Sequence, residues 1–204
     1  MKKYFRGRVD FRLAKEVELY EQRQDDLLRR LDKHANTHGG VDLGLNGELN
    51  GLKGLIERAE KKDIRAMWIA FHPQLVGEDA PETIAALKKL IATLEFSVVS
   101  TTHDFEWARA ASVLLPMAAW AEEKGTYTNY AGRIQITNRA VMPPGDALPL
   151  HVMMAELLKL SGARTSSDPE TIFNTISREI PKYAGMDYDS IGALGLMRAE
   201  EVVR

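Results

Sequence analysis

The chain has 204 residues, of which 45% are hydrophobic and 27% are charged, and its net charge is −2. The balanced charge, with no long run of lysine or arginine, excludes a basic nucleic-acid-binding surface. No apolar run approaches the roughly 18 residues that span a bilayer. With no cysteine, the chain supplies no thiolate to an iron–sulfur cluster or a metal centre. Its first residues lack an apolar signal core, which favours a cytoplasmic location.

The first fifty residues predict a lead segment, one helix and a loop. In Leu13–Lys33, apolar side chains recur at spacings near three and four between charged residues, which indicates an amphipathic helix. Asn36–Gly54 is rich in glycine and asparagine and is typical of a loop. We therefore divide the chain into a lead unit, residues 1–50, and an α/β domain, residues 51–204.

The first part of the α/β domain predicts a strand–helix–strand unit. A helix over Leu52–Lys62 precedes a short apolar run, Ile64–Ala70, which favours a buried strand. A helix that starts near Asp79 leads to a second strand, Phe96–Ser100, and Val113–Leu115 adds a third. Such crossovers are right-handed and give parallel sheets.

The remaining residues predict one strand and two helices. Ile134 and Ile136 alternate with polar residues, which is typical of a strand. Leu150–Leu160 has the spacing of a helix, and a last helix runs from about Asp168 to Pro181. The predicted fold class is α/β, a Rossmann-like open parallel sheet with flanking helices.

Two loops follow the predicted strands at the edge where open parallel sheets bind ligands. Phe71–Gln74 and Thr101–Asp104 each carry hydrogen-bonding side chains and a histidine. They predict a crevice for a nucleotide-like ligand, although solvation of the loops explains the same residues. The chain has neither a GxGxxG turn nor a Walker lysine motif.

Catalytic and metal-binding patterns are not found in the sequence. There is no GxSxG elbow, Glu122 and Glu123 diverge because they are adjacent, and the five histidines are scattered. We predict no catalytic residue and no metal site. We expect local structure to fix Arg133, either in a salt bridge or carbonyl clamp across the Gly125–Gly132 loop or for anion recognition.

One segment, Ala111–Gln135 (ASVLLPMAAWAEEKGTYTNYAGRIQ), resembles the molybdopterin oxidoreductase family. In that family an alanine-aspartate-valine-leucine-proline run leads into a glycine-threonine-x-x-asparagine-x-glutamate-glycine-arginine motif. Asn36–Gly44 is similar to the family's asparagine-x-x-glycine-x-x-aspartate-x-glycine loop, and Pro143–Ala147 to a proline-proline-glycine-x-alanine stretch. The likeness extends over roughly residues 24–195 and implies a fragment of the molybdopterin oxidoreductase fold.

Within the family, the lead residues look most like the later part of the large peripheral subunit of NADH-quinone oxidoreductase, respiratory complex I. This resemblance implies a non-catalytic structural module of an electron-transfer complex. Such a module would bind no cofactor alone and would contact other redox subunits, in the cytoplasm or peripheral to the inner membrane.

The alternative is a formate dehydrogenase-type alpha subunit, in which the chain is the cofactor-binding part of a split enzyme that takes molybdopterin guanine dinucleotide. The implied cofactor-binding residues are His72, Thr101, Thr102, Thr126, Asn129 and Arg133.

Several positions depart from the family pattern. Ser112 and Ala131 replace an aspartate and a glutamate, Phe105 and Trp107 replace threonines, and His72 replaces an asparagine. These changes remove or reshape polar groups that a pterin nucleotide would contact. They favour a fold kept as a scaffold. A third reading is a truncated product, which an exposed apolar sheet edge or face would favour.

Overall fold

The computed structural model describes residues 35–45, 51–71 and 81–199. The helix predicted over Leu13–Lys33 and the predicted start at Asp79 lie outside these residues. The division near residue 50 stays a prediction for the same reason. None of the helices in the described ranges is both long and apolar enough to cross a membrane.

A parallel three-stranded sheet forms the first half of the fold. Its strands are β1 (Ala66–Phe71), β2 (Phe96–Thr101) and β3 (Val113–Pro116), in that order. All neighbours are parallel, and Val98 lies opposite both Trp68 and Val113. The short apolar runs therefore form the predicted α/β sheet.

Two helices and a 3₁₀ helix cover one face of this sheet. α2 (Gly51–Glu60) and α3 (Pro81–Thr93) pack on each other, and the 3₁₀ helix spans Glu106–Ala110. The core of this face consists of Phe71, Leu87, Ile91, Val99, Trp107 and Ala108.

Two departures from the family pattern lie in or beside this core. Trp107 is 3% exposed, and its ring lies 4.9 Å from that of Phe71 in an edge-on arrangement. Phe105 packs against the same cluster, with its ring 5.5 Å from that of Phe71. Aromatic pairs of this kind stabilise the fold beyond their buried area. These positions therefore serve packing.

A short helix, α1 (Thr37–Asp42), occurs where the sequence predicted a loop. The prediction was wrong because glycine here is required by packing: a Cβ at Gly39 would lie 2.3 Å from the side-chain oxygen of Asn36. The helix is stabilised at its ends by backbone bonds such as that from the Gly40 amide to the Asn36 carbonyl, 3.0 Å.

An antiparallel sheet forms the second half. It contains β4 (Gly125–Thr128), β5 (Arg133–Thr137) and β6 (Leu196–Met197), in that order. The sequence predicted the strand at β5, but it assigned Gly125–Gly132 to a single loop. That prediction was wrong because β4 pairs with β5 along its whole length, and only residues 129–132 form the turn.

Three helices follow in the C-terminal part of the chain, and the last two pack on the second sheet. α4 (Leu150–Leu160) confirms its predicted range, and α5 (Pro169–Glu179) begins after the Asp168 side chain, which accepts from the Thr171 amide. A 3₁₀ turn at Pro181–Tyr183 and α6 (Tyr188–Ile191) follow. The second core consists of Ile134, Phe173, Tyr183, Tyr188 and Ile191.

Candidate functional site

The carboxyl end of β2 presents a small polar group. Thr101 is 5% exposed, and its hydroxyl accepts from the backbone amide of His103 at 3.4 Å. The Thr102 hydroxyl lies 2.9 Å from His103 Nδ1, and both of these side chains face the surface more than Thr101 does. The strand end therefore offers hydroxyl and imidazole groups to a ligand.

The neighbouring strand β1 ends at the same edge. Phe71 lies opposite Thr101 in the parallel register, so the chain leaves both strands side by side. His72, the next residue, lies outside the described residues, and its assignment stays a prediction.

Asn129 closes the turn between β4 and β5. Its side-chain oxygen accepts from the backbone amides of Ala131, at 2.9 Å, and Arg133, at 3.0 Å. Gly132 completes the turn with a φ of +80°, a conformation that favours glycine. Asn129, which the resemblance assigns to cofactor binding, thus uses its side-chain oxygen to close the turn.

Arg133 binds two backbone carbonyls. Its guanidinium donates to Leu194, at 3.3 Å, and to Gly195, at 3.1 Å. A carbonyl clamp was one of the sequence-based alternatives, but its target was expected within the Gly125–Gly132 loop. The observed clamp instead holds the chain that enters β6.

The remaining candidate, Thr126, lies in β4 opposite Ile136 and is half-buried. The candidates thus form two groups on different sheets. Thr101 and Thr102 lie at the carboxyl end of β2 in the parallel sheet, and Thr126, Asn129 and Arg133 belong to the β4–β5 hairpin. Within the described ranges no hydrogen bond joins the two groups.

Ser112, at a position where the family carries an aspartate, has a structural role. Its hydroxyl accepts from the Ser97 amide at 3.1 Å, and its own amide donates to the Ser97 hydroxyl at 3.2 Å. This reciprocal pair connects the start of β2 to the residue just before β3.

A charged network surrounds Asp42, and the sequence analysis did not predict that its residues come together. The Asp42 side chain is 1% exposed and accepts from Lys182 Nζ at 3.0 Å, from the Tyr183 hydroxyl at 3.1 Å and from Arg198. Burial acts to raise the pKa of the Asp42 carboxyl, but the hydrogen bonds from Arg198 and Lys182 outweigh it, so this pKa lies below its ordinary value. Asp42 is therefore a buried carboxylate with several donors.

The network joins α1 to the second sheet. The Thr128 hydroxyl lies 2.9 Å from that of Tyr183, and the Thr128 amide donates to the Asn36 side chain at 2.7 Å. Arg198 also donates to His38 Nδ1 at 3.0 Å, which requires that this nitrogen be unprotonated. Asn36, His38 and Asp42 of the Asn36–Gly44 motif therefore all contact residues outside α1, which gives the motif a structural role.

Glu122 and Glu123 contact different partners. Glu122 accepts from the Ala119 amide at 2.8 Å, while Glu123 lies 3.9 Å from His151. Burial raises the pKa of Glu123 and lowers that of His151, so burial favours the neutral form of each. In the ranges that the structure covers, no cluster of three or more potential ligand side chains forms a metal site.

Comparison with known proteins identifies relatives of this arrangement. A family model described as molybdopterin oxidoreductase matches residues 12–160. The F420-dependent formate dehydrogenase 2 subunit alpha of Methanococcus maripaludis is 39% identical over 128 residues, which are 60% of this chain and 19% of that protein. The corresponding subunit of Methanocaldococcus jannaschii is 33% identical over 66% of this chain and 20% of its own length.

An NADH-quinone oxidoreductase subunit of Rhizobium meliloti is a more distant relative. It is 26% identical over 195 residues, which cover 82% of this chain and 23% of that protein. The predicted likeness to NADH-quinone oxidoreductase is therefore present but weaker than the likeness to the formate dehydrogenase alpha subunits.

The solved structure of acetylene hydratase from Pelobacter acetylenicus has a similar fold. The TM-score is 0.50 at 17% identity, over 72% of this chain and 21% of that one. The chain thus spans about a fifth of the length of the relatives it matches.

Proposed function

The chain belongs to the molybdopterin oxidoreductase family, and we propose that it forms the α/β part of a formate dehydrogenase-type alpha subunit. In this role it contributes one wall of the crevice for a pterin nucleotide cofactor and contacts other redox subunits in the cytoplasm. The observation that carries the proposal is the higher identity to the formate dehydrogenase alpha subunits, 39% against 26% for the NADH-quinone oxidoreductase subunit.

The polar group at the end of β2 is the part of the chain that fits such a cofactor. Hydroxyl and imidazole groups there match the hydrogen-bonding edges of a pterin or a nucleotide, and ligands of open parallel sheets bind at this edge. We assign Thr101, Thr102 and His103 to this wall, with His72 as the adjacent candidate.

The hairpin candidates fit the cofactor less well. The Asn129 side-chain oxygen accepts two backbone amides, and the Arg133 guanidinium donates to two carbonyls. Binding a ligand would require each to give up contacts that hold the turn and β6. We therefore assign these two residues to the scaffold and leave Thr126 as a secondary candidate.

When bound, the cofactor would supply redox chemistry at its molybdenum centre. The chain's own share would be to hold and orient the pterin nucleotide through hydrogen bonds and to exclude water from one side of it. No cysteine is available for the metal, so we place any thiolate ligand elsewhere in the holoenzyme.

The proposal is tested by cofactor content. The chain is purified together with the remainder of an alpha subunit and assayed for molybdenum and for the fluorescence of released oxidised pterin. We expect the wild-type complex to contain both molybdenum and pterin, and we expect Thr102→Val to lower the content of both. The control is Thr93→Val, because the Thr93 hydroxyl donates to the Lys89 carbonyl within α3, away from the strand end. Absence of both molybdenum and pterin in the wild-type complex would reject the function.

The second candidate is a structural module of an NADH-quinone oxidoreductase-like complex. It is favoured by the match to the Rhizobium meliloti subunit over 82% of this chain and by the structural use of Asn129 and Arg133. This candidate predicts stable association with cluster-bearing redox subunits without any pterin. A chain that never co-purifies with such subunits would reject it.

A further inference from the structure

The parallel sheet has a second face that carries mainly apolar side chains. We call it the Trp68 face, and it consists of Ala66, Trp68, Ala70, Phe96, Val98, Ser100, Val113 and Leu115. The hydrogen bond from Trp68 Nε1 to the Ser100 hydroxyl, 3.0 Å, shows that these two side chains share this face. The in-register positions of Trp68, Val98 and Val113 extend it across all three strands.

This face is incompletely covered. Phe96 is 47% exposed and Val113 is 37% exposed, Trp68, Val98 and Leu115 are half-buried, and Ser100 is fully buried. No residue of the Trp68 face belongs to the three buried apolar clusters of the described chain. On the opposite face, the side chains of β1 and β2 are packed against α2, α3 and the 3₁₀ helix, whereas Leu114 of β3 is 36% exposed.

Parallel sheets are normally covered by helices on both faces, because their strands are apolar on both sides. An exposed apolar surface on one face of such a sheet marks a site of association. The residues matched by this chain are about a fifth of each relative, so an alpha subunit contains further polypeptide that such a face can contact.

From these observations, we propose that the Trp68 face binds an amphipathic helix supplied by the remainder of an alpha-subunit-type protein. The inference rests on the proposed function, since that function names the protein that supplies the helix. Charged residues lie at the rim, where Arg65 and Glu95 form an ion pair of 3.8 Å with both side chains exposed. The partner helix is therefore expected to have an apolar central stripe with polar flanks.

Association is measured with a tagged 204-residue chain co-expressed with the remainder of the Methanococcus maripaludis alpha subunit, from which the 128 matched residues are deleted. We expect capture of the remainder and a one-to-one complex by light scattering. Val113→Glu should weaken capture about tenfold, because it places a charge among the apolar contacts of the interface. The control is Leu160→Glu, on an 87% exposed side chain of α4, which should leave capture unchanged.

Hydroxyl-radical footprinting of the wild-type protein gives a second measurement that requires no variant to fold. Phe96 and Val113 should be oxidised readily in the free chain and protected in the complex, while Leu160 stays reactive in both. Lack of capture, equal capture by Val113→Glu, or protection of Phe96 in the free monomer would each overturn the proposal.

Self-association is a distinct outcome. A dimer of the free chain that Val113→Glu dissociates would place a second copy on the face and would also overturn the proposal. The readouts separate this inference from the proposed function: capture without pterin or molybdenum rejects the cofactor role alone, whereas cofactor in a complex insensitive to Val113→Glu rejects the docking surface alone.

Discussion

Arg198 binds Asp42 across 156 positions of sequence, and the carboxylate it contacts is 1% exposed. Lys182 donates to the other oxygen of the same carboxylate at 3.0 Å. Helix α1, the first helix of the described residues, is therefore held by the C-terminal segment through charges that are largely withdrawn from water. Loss of the Asp42 carboxylate, or of one of its cationic partners, would leave a buried charge without a balancing opposite charge.

Asp42→Asn is expected to lower the free energy of unfolding by about 3 kcal/mol, the magnitude typical of breaking a buried ion pair. The amide removes the charge that balances Lys182 and Arg198. Urea unfolding followed by circular dichroism measures the change. Asp104→Asn is the matched control, since its ion pair with Arg109 is exposed on both sides, and its midpoint should not move.

The same carboxylate predicts a pH dependence of stability. Because the pKa of Asp42 is lowered in the folded state, its contribution is fully present above the ordinary value of 3.8 and is lost as the pH falls through the folded value. Urea midpoints from about pH 5 to about pH 2 should therefore decline more steeply for the wild type than for Asp42→Asn. Parallel declines would show that Asp42 is not a source of the acid sensitivity.

Asn129→Ala is expected to destabilise the β4–β5 hairpin by about 1–2 kcal/mol, because two backbone amides lose their acceptor. Hydrogen exchange at the amides of Ala131 and Arg133 should accelerate with it. Asn138→Ala, at an exposed position just after β5, serves as the control. Unchanged exchange at both amides would contradict the assigned role of Asn129.

Gly195→Ala is expected to lower the free energy of unfolding by about 2 kcal/mol or more. The φ of Gly195 is +74°, and a Cβ there would lie 2.5 Å from the Ile134 carbonyl oxygen. Gly145→Ala offers a matched comparison, with a φ of +54° and no atom within 4 Å of the new Cβ. Gly145→Ala should lower the free energy of unfolding by only about 1 kcal/mol, because it strains the left-handed backbone conformation without a steric clash. Thermal unfolding of the two variants measures the difference, and equal losses would mean that β5 moves to accommodate the methyl group.

The parallel sheet was predictable because its strands are short apolar runs separated by helical patterns. The second sheet was harder, since β4 is polar in sequence and β6 has only two residues. Their pairing depends on β5, which lies distant in sequence from β6. Local patterns carry little information about such contacts.

Only part of the candidate site was predictable from the sequence. Local spacing indicated that Arg133 would be fixed, but its carbonyl partners lie 61 and 62 positions away. The Asp42 network was not predicted for the same reason: its donors lie 140 or more positions away in the sequence. The likeness to the family marked Asn36–Gly44 as a motif, yet the pairing of Asp42 with Lys182 and Arg198 required the three-dimensional arrangement.

The placement of Arg198 has a consequence for the order of folding during synthesis. The strands of the parallel sheet all lie before Met117, so they can pair while the rest of the chain is still being made. Asp42 emerges from the ribosome earlier than these strands but has to wait for Arg198. Until the segment from Lys182 to Arg198 has been made, α1 carries a carboxylate that lacks some or all of its donors, so its docking belongs to the late steps of folding.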